Sequence, residues 1–517
     1  MRGKVVVPLI ISTLGLGLVL LSAAAFDFSS DVKPEIALFH QGYDLTKQLT
    51  VFGRTYALST LLENSQPALS KGISKQEYAQ WCREMFQISL GIDNGWDRVA
   101  QEKNAVKYLS YAEPDEAMKL FKQIEDPKPM PNGSFPEDVR SDGAKIIFIN
   151  YWSAAQDSTA QVDRLSVIES EAQRLGQTGE YPYVAMGEII ERLAQQPIAQ
   201  SGEIVRRIFS QALRFYDERP YKFANRNRQF YKFLKATANL IPNDLRPQVV
   251  RVFERKLKEG PESPEGLEYQ SEVETPKGIT KFNNDRDELL FEAFPTIQKV
   301  APEIAADLLQ DKPELSKADE NFKLRSGGYN LKGMGPAEAQ SMHDRTLQRA
   351  IVKEIAGMQE TDLDHARQLA KRLTDVDTSI QGNAALLWLI ADRDEARHIY
   401  DDQWTRLQQI TNKDDQLRSM VALSKASFRI HDSSSFAELA ATALEQGATL
   451  FEQDSRVRPE WSPYARRGYS DVVELVTFGT NNGLKSLPAD IQKLASVELK
   501  AYLVSVEGGS LLAKQNR

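Results

Sequence analysis

The chain has 517 residues, 41% hydrophobic and 26% charged, which is the composition of a folded protein with three or four ordinary domains or one long repeat array. A net charge of −8 argues against nucleic acid as a general partner. A single cysteine, Cys82, excludes a disulfide framework and a cysteine-based metal site, and beside Trp81 it reads as a small buried apolar residue.

Met1-Arg2-Gly3-Lys4 is a basic tip leading into an apolar run over 5–21, and Ser22-Ala23-Ala24-Ala25 before Phe26 supplies an A-x-A cleavage site. The expectation is a signal peptide over 1–25 and a periplasmic or extracellular mature chain. The competing reading is an uncleaved anchor over 5–25 in the inner membrane, the one membrane contact expected. No cysteine follows the run, which argues against a lipid anchor.

Residues 37–64 then read as one or two helices. Ser74 with Glu77 three positions on forms a capping pattern ahead of the stripe Tyr78, Trp81, Met85. Another helix is expected over 93–110. Residues 126–142, with Pro127, Pro129, Pro131, Gly133 and Pro136, read as a loop, and 144–152 as a buried helix. Met186, Ile189, Ile190, Leu193 and then Val205, Ile208, Phe209, Ala212, Tyr216 are helical stripes. Residues 260–278, with Pro261, Pro264 and Pro276, lack helical periodicity, as do 312–335 with Gly327-Gly328 and Gly333-Met334-Gly335. Between them 289–309 returns to helix pairs. The division expected is a helical-repeat region over 26–260, a linker or surface excursion over 261–285, and a second helical-repeat region over 286–517. Helices near 471–478 and 488–506 form its terminal cap.

The repeat is most open between Asp362 and Asp432. Asp362-Leu363-Asp364-His365-Ala366 returns thirty positions on as Asp392-Arg393-Asp394-Glu395-Ala396. Leu373-Thr374-Asp375 and Ile410-Thr411-Asn412 each close one helix and open the next. Short polar side chains at helix starts accept the free N–H groups of the first turn and face the positive end of the helix dipole. Ala366, Leu369, Ala370, Leu373 and Ile380, Ala384, Leu387 keep helical spacing. An echo of the same unit, Ala112-Glu113-Pro114-Asp115-Glu116-Ala117, matches Ala391-Asp392-Arg393-Asp394-Glu395-Ala396 in the other half. A period of thirty-odd residues with two amphipathic helices is the sign of an α-solenoid. This stretch resembles tetratricopeptide-type repeats, which implies an all-α superhelix of stacked antiparallel helix pairs. The Trp, Leu-Gly and Tyr positions of that consensus are not found in order, and the resemblance implies no ligand.

No constellation rises to a catalytic site, and no cofactor or metal is expected. The five histidines include no HExxH and no pair at zinc-binding helical spacing, although His365 and His398 occupy nearly matching repeat slots. His431-Asp432-Ser433-Ser434-Ser435 has the residue types of a hydrolase triad on one turn, which cannot deliver triad geometry; the serines are read as helix caps. Gly327–Gly335 reads as a mobile, ligand-facing loop without the order of a phosphate-binding motif. The sharpest local anomaly is Arg219, Lys222, Arg226, Arg228, Lys232 and Lys235, six cations with no acid among them, interleaved with Tyr221, Phe223, Phe230, Tyr231 and Phe233. It is the candidate surface for an anionic envelope component or a partner. The plain reading sends the aromatics into the core and the cations outward.

The function expected is a scaffold in the cell envelope that binds protein or peptide. The alternative is an envelope carbohydrate-active hydrolase or lyase on an α/α scaffold, using a carboxylate pair with residues 327–336 over the cleft. Against it, the Glu-Ser signature of lytic transglycosylases and its Gly-rich partner are not found.

Overall fold

The structure, a computed structural model, describes residues 33–126, 139–198, 200–218, 225–259, 266–321, 324–430, 432–459 and 461–515. The expected signal over 1–25 lies outside these residues. Among the described residues no helix is long and apolar enough to cross a membrane.

The chain is mostly helical. The first half comprises α1 (Pro34–Thr46), α2 (Val51–Ser65), α3 (Lys75–Ser89), α4 (Gly95–Ala112), α5 (Pro114–Phe121), α6 (Val139–Ser153), α7 (Ser158–Gln177), α8 (Tyr183–Gln195), α9 (Ser201–Glu218), α10 (Arg226–Thr237) and α11 (Arg246–Glu259). Strands β1 (Leu267–Thr275) and β2 (Gly278–Phe282) follow, then α12 (Asp285–Val300), α13 (Pro302–Asp311) and β3 (Leu324–Leu331). The rest is α14 (Pro336–Ala356), α15 (Leu363–Ala370), α16 (Val376–Leu386), α17 (Arg393–Leu407), α18 (Lys413–Arg429), α19 (Ser433–Val457), α20 (Tyr469–Asn481), α21 (Leu487–Lys493) and α22 (Val497–Gln515).

Local chemistry sets most helix starts. Ser74 Oγ accepts the Glu77 N–H at 3.1 Å, and the Asp392 carboxylate accepts the N–H groups of Asp394 and Glu395 at 2.9 and 3.0 Å. The echoed units are both helical, with Ala117 and Phe121 buried in α5 as Ala396 and Tyr400 are in α17. Two starts differ from expectation. Asp362 closes a capping box with Gln359 one short turn ahead of α15. Asp432 caps α19, accepting the Ser435 N–H at 3.0 Å. The span 488–506 is interrupted at Leu494-Ala495-Ser496 and divides between α21 and α22.

The even-numbered helices pack on one another in sequence: α2 on α4, α4 on α6, α6 on α8, α8 on α10, α10 on α12. After the sheet the order resumes as α14 on α16, α16 on α18, α18 on α20 and α20 on α22. Odd-numbered helices lie against their chain neighbours. The last step is a return, because α22 packs against both α1 and α2. The circuit of packing therefore closes. Two apolar cores follow it, one drawn from α1–α13 and one from α14–α22. They interlock at the closure: Tyr56 and Ala57 of α2 belong to the second core, Leu512 of α22 to the first.

The two stretches without helical periodicity contribute the strands of a single antiparallel sheet of order β2-β1-β3. The expected linker over 261–285 carries β1 and β2, paired across the Pro276-Lys277 turn with Thr275 opposite Gly278. The expected Gly-rich loop is β3 up to Leu331, with Ser271 opposite Gly327. Gly327 is required there: its φ is +86°, and a Cβ would sit 2.2 Å from the Gln270 carbonyl oxygen. The strand signal is a period of two, with Tyr269, Ser271, Val273 and Thr275 buried between Glu268, Gln270, Glu272 and Glu274. Glu288 of α12, itself buried, accepts hydrogen bonds from Tyr269, Ser271 and Arg325, and so ties β1 and β3 to the helix row. Val273 and Phe282 feed the first core and Leu324 the second, so the sheet is the covalent junction between them.

The other junction is non-covalent. Helix α22 is buried along nearly its whole length, and Gln515 Nε2 donates to Glu35 at 3.1 Å. Tyr464, just before α20, bonds the Thr60 hydroxyl at 3.1 Å and donates to the Tyr56 carbonyl at 3.3 Å. Arg466 ion-pairs with Glu498 at 2.7 Å. Glu507 is the exception, a buried carboxyl whose Oε2 has no hydrogen-bond partner among the described residues. Burial pushes it up to about 7. A raised carboxyl binds its proton more tightly folded than unfolded, so its penalty is absent below about 4.5, grows as pH rises, and is complete above about 7. Glu507→Gln is therefore expected to raise stability at pH 8 by about 1–2 kcal/mol and to leave it unchanged at pH 4.5, as read from urea midpoints.

Candidate functional site

Helices of the even row in the second half carry two stripes. On α16, Ile380, Ala384 and the following Leu387 go to the core, while Gln381, Ala385 and the following Trp388 turn to the free face. On α18 the free stripe is Arg418, Ala422 and Lys425, and on α20 it is Asp471, Glu474 and Phe478. These spacings are i, i+3 or i+4, i+7, one face of a helix. With Val352 and Ile355 of α14 they line a groove of about 580 Å³ that crosses four successive helices. Ala385 and Ala422 form part of its floor, small side chains that leave room above the backbone. The odd helices contribute nothing to the lining.

Aromatic rings gather at one end. Trp388, Phe428 and Phe436 each meet Phe478 edge-on, with centroids 5.9, 5.8 and 5.8 Å away. Phe436 is buried, whereas Trp388 and Phe428 are 37% and 36% exposed. Lys425 lies 5.7 Å from the Phe478 ring centroid and ion-pairs with Glu474. Arg418 pairs with Asp415 at 3.0 Å, and Asp415 also takes Arg345 of α14 at 3.0 Å. Asp471 differs. Apart from its own backbone N–H it has no hydrogen-bonding or ion-paired partner among the described residues. Burial pushes its carboxyl up to about 6, with Glu474 and Asp414 adding to the rise and Arg418 opposing it.

A second cleft, about 650 Å³, lies between the sheet and α14, lined by Glu268, Glu272, Lys281, Asn330, Met334 and His343 among others. The Gly-rich segment thus does border a cleft, by way of Asn330, Leu331 and Met334, but from a paired strand and its exit turn. Here the fold brings together Ser326, His343 and Asp344. Ser326 Oγ is 3.0 Å from His343 Nε2, and His343 Nδ1 is 3.9 Å from Asp344. Ser326 is 1% exposed, so its hydroxyl meets no substrate, and its hydrogen bond with His343 ties β3 to α14.

Of the six cations singled out from sequence, Arg226, Arg228, Lys232 and Lys235 lie among the described residues. Arg219 and Lys222 lie outside the described residues. Arg226 is buried and donates to the carbonyls of Phe215 and Tyr216 at the end of α9, where it acts as a cap. Arg228 pairs with Glu292 at 3.2 Å. Lys232 and Lys235 are exposed. Phe230, Tyr231 and Phe233 enter the core, and Phe230 stacks on Tyr216 at 3.8 Å between centroids.

Among the described residues no group of three His, Cys, Asp or Glu side chains suits a metal ion, and His431 lies outside them. Cys82 is buried, which pushes its thiol well above the usual range and makes it a poor nucleophile. The groove residues Trp388, Lys425, Asp471 and Phe478 escaped the sequence reading, though Gln381, Ala385, Trp388 and Asp471, Glu474, Phe478 already lie at helical spacing. No family model matches this sequence, and no curated protein is significantly similar to it.

Proposed function

We propose that this chain is an exported α-solenoid, closed on itself, that serves in the cell envelope as a scaffold binding an extended peptide segment of a protein partner. The observation that carries the reading is the groove across α14, α16, α18 and α20. Stacked helices offer a long continuous face, and an apolar floor with charges at its rim suits a segment lying across the stack. The sequential packing of even helices supports the solenoid, and the basic start with its A-x-A site supports export.

A photo-crosslinking residue at Gln381 in the groove, compared with one at Arg397 on α17, tests this in cells that produce the chain. A crosslinked protein partner is expected from position 381 and not from 397. Trp388→Ala is expected to weaken the isolated complex at least tenfold without changing the helical circular dichroism, since an exposed aromatic anchor contributes about 2 kcal/mol or more. Equal crosslinking from both positions sinks the groove as the site.

The second reading is an envelope carbohydrate-active hydrolase or lyase, and one observation favours it: Asp471, poised near pH 6, shares the groove with Glu474 and an aromatic ring. Peptidoglycan turnover abolished by Asp471→Asn, with no protein crosslinked, would replace the scaffold reading with this one.

A further inference from the structure

The first half of the even row has a cleft of its own. On α8, Met186, Ile189, Ile190 and Leu193 go to the core, while Glu188, Glu191, Arg192 and Gln195 form another stripe at helical spacing. That stripe meets Trp152 at the end of α6 and Gln161 in the first turn of α7, and the cleft between them holds about 590 Å³. Its charges are largely satisfied within the protein: Glu188 pairs with Lys145 at 2.9 Å and with Arg192 at 3.1 Å. Glu191 has no ion pair among the described residues, and its lone carboxylate accepts hydrogen bonds and repels anions.

What remains in the cleft is neutral and polar. The side-chain amides of Gln161, Gln195 and Gln196 have no hydrogen-bond partner among the described residues, and each offers a donor and an acceptor together. Trp152 is 6% exposed, and its indole N–H also lacks a partner there. A buried donor left unpaired is costly, and such groups in folded proteins call for an explanation. The position of this one in the wall of a polar cleft supplies it: the partner comes with a ligand.

We propose that this cleft binds a neutral saccharide, with its hydroxyls bonded to the Gln161, Gln195 and Gln196 amides, to Glu191 and to the Trp152 indole. A hydroxyl donates and accepts at once, which matches a set of amides, a carboxylate and an N–H better than a purely anionic or purely cationic group does. Pro197 and Ile198 add an apolar side for the C–H face of a sugar ring. The site is separate from the groove across α14, α16, α18 and α20, and the proposal stands whether or not that groove takes a peptide.

An array of neutral and anionic oligosaccharides probed with the full chain, followed by calorimetric titration of the best binder, provides the test. Neutral glycans are expected to bind and uronic-acid or sulfated ones are not. Trp152→Phe keeps a ring and removes the N–H, and Gln161→Leu removes an amide at the surface; both are first matched to the parent by circular dichroism and thermal midpoint. Each is expected to weaken the best neutral glycan at least about fivefold, the loss of one hydrogen bond. A purely structural Trp152 would leave affinity unchanged in Trp152→Phe; with Gln161→Leu also unchanged, the proposal falls. It falls too if no neutral glycan binds or if anionic ones are preferred. Loss of binding in Asp471→Asn and not in Gln161→Leu would put the saccharide in the other groove and overturn the assignment.

Discussion

Replacing Arg140 with alanine is expected to destabilise the first half of the chain by about 3–5 kcal/mol, the largest effect of any single substitution considered. Arg140 opens α6 with 0% exposure, and its Nε donates to Glu180, also 0% exposed, at 3.1 Å. Its guanidinium further reaches Asp126 at 2.7 Å, the Ile124 carbonyl at 3.3 Å and the Thr178 hydroxyl at 3.1 Å. One side chain thus joins the end of the α5 segment, the start of α6 and the turn between α7 and α8. Removal strands Glu180 as an unpaired buried charge, and that desolvation, more than the lost attraction, is what costs. Two urea titrations decide it. Arg140→Ala should lower the midpoint strongly, and Arg140→Met with Glu180→Met should recover much of the loss, because apolar groups of similar volume need no partner. A loss below about 1 kcal/mol for Arg140→Ala would mean that water reaches Glu180 and that the cluster is not a dry junction.

Gly508→Val is expected to open the closure. A Cβ at Gly508 would lie 2.9 Å from the Phe39 ring and 3.2 Å from the Glu35 carbonyl oxygen. The same tight approach recurs at Gly42, 2.7 Å from the Ser505 hydroxyl, and at Gly509, 2.6 Å from the Asn64 side chain. These glycines let α22 lie close against α1 and α2, and Phe39 is fully buried and has nowhere to turn. Overpacking there costs about 3 kcal/mol, the upper end for small-to-large changes. The expected readout is faster amide exchange confined to α1, α2 and α22, with α8 unaffected, since each helix depends chiefly on its neighbours in the row. Unchanged exchange in α1 and α22 would show that the closure tolerates the added volume.

The sequence by itself determined most helices. The stripes of Met186, Ile189, Ile190 and Leu193 or of Ile380, Ala384 and Leu387, and the caps at Ser74 and Asp392, are local signals that no distant contact overrides. It also carried the strand β1 in the alternation of 268–275, although a period of two across eight residues is easily lost among prolines and glycines.

Tertiary structure alone decided the rest. That Gly327 belongs to a strand depends on Gln270, 57 positions away, approaching closer than any side chain allows. That two cations of the basic stretch are taken up within the fold depends on Arg226 finding the free carbonyls at the end of α9 and Arg228 finding Glu292. The groove needs four helices side by side before Trp388, Lys425, Asp471 and Phe478 meet. The return of α22 to α1 and α2 brings together residues more than 400 positions apart. Periodicity fixes which face of a helix is buried, because the turn of the backbone is local; it cannot fix against which partner, because that is settled by packing between surfaces the chain brings together only once folded.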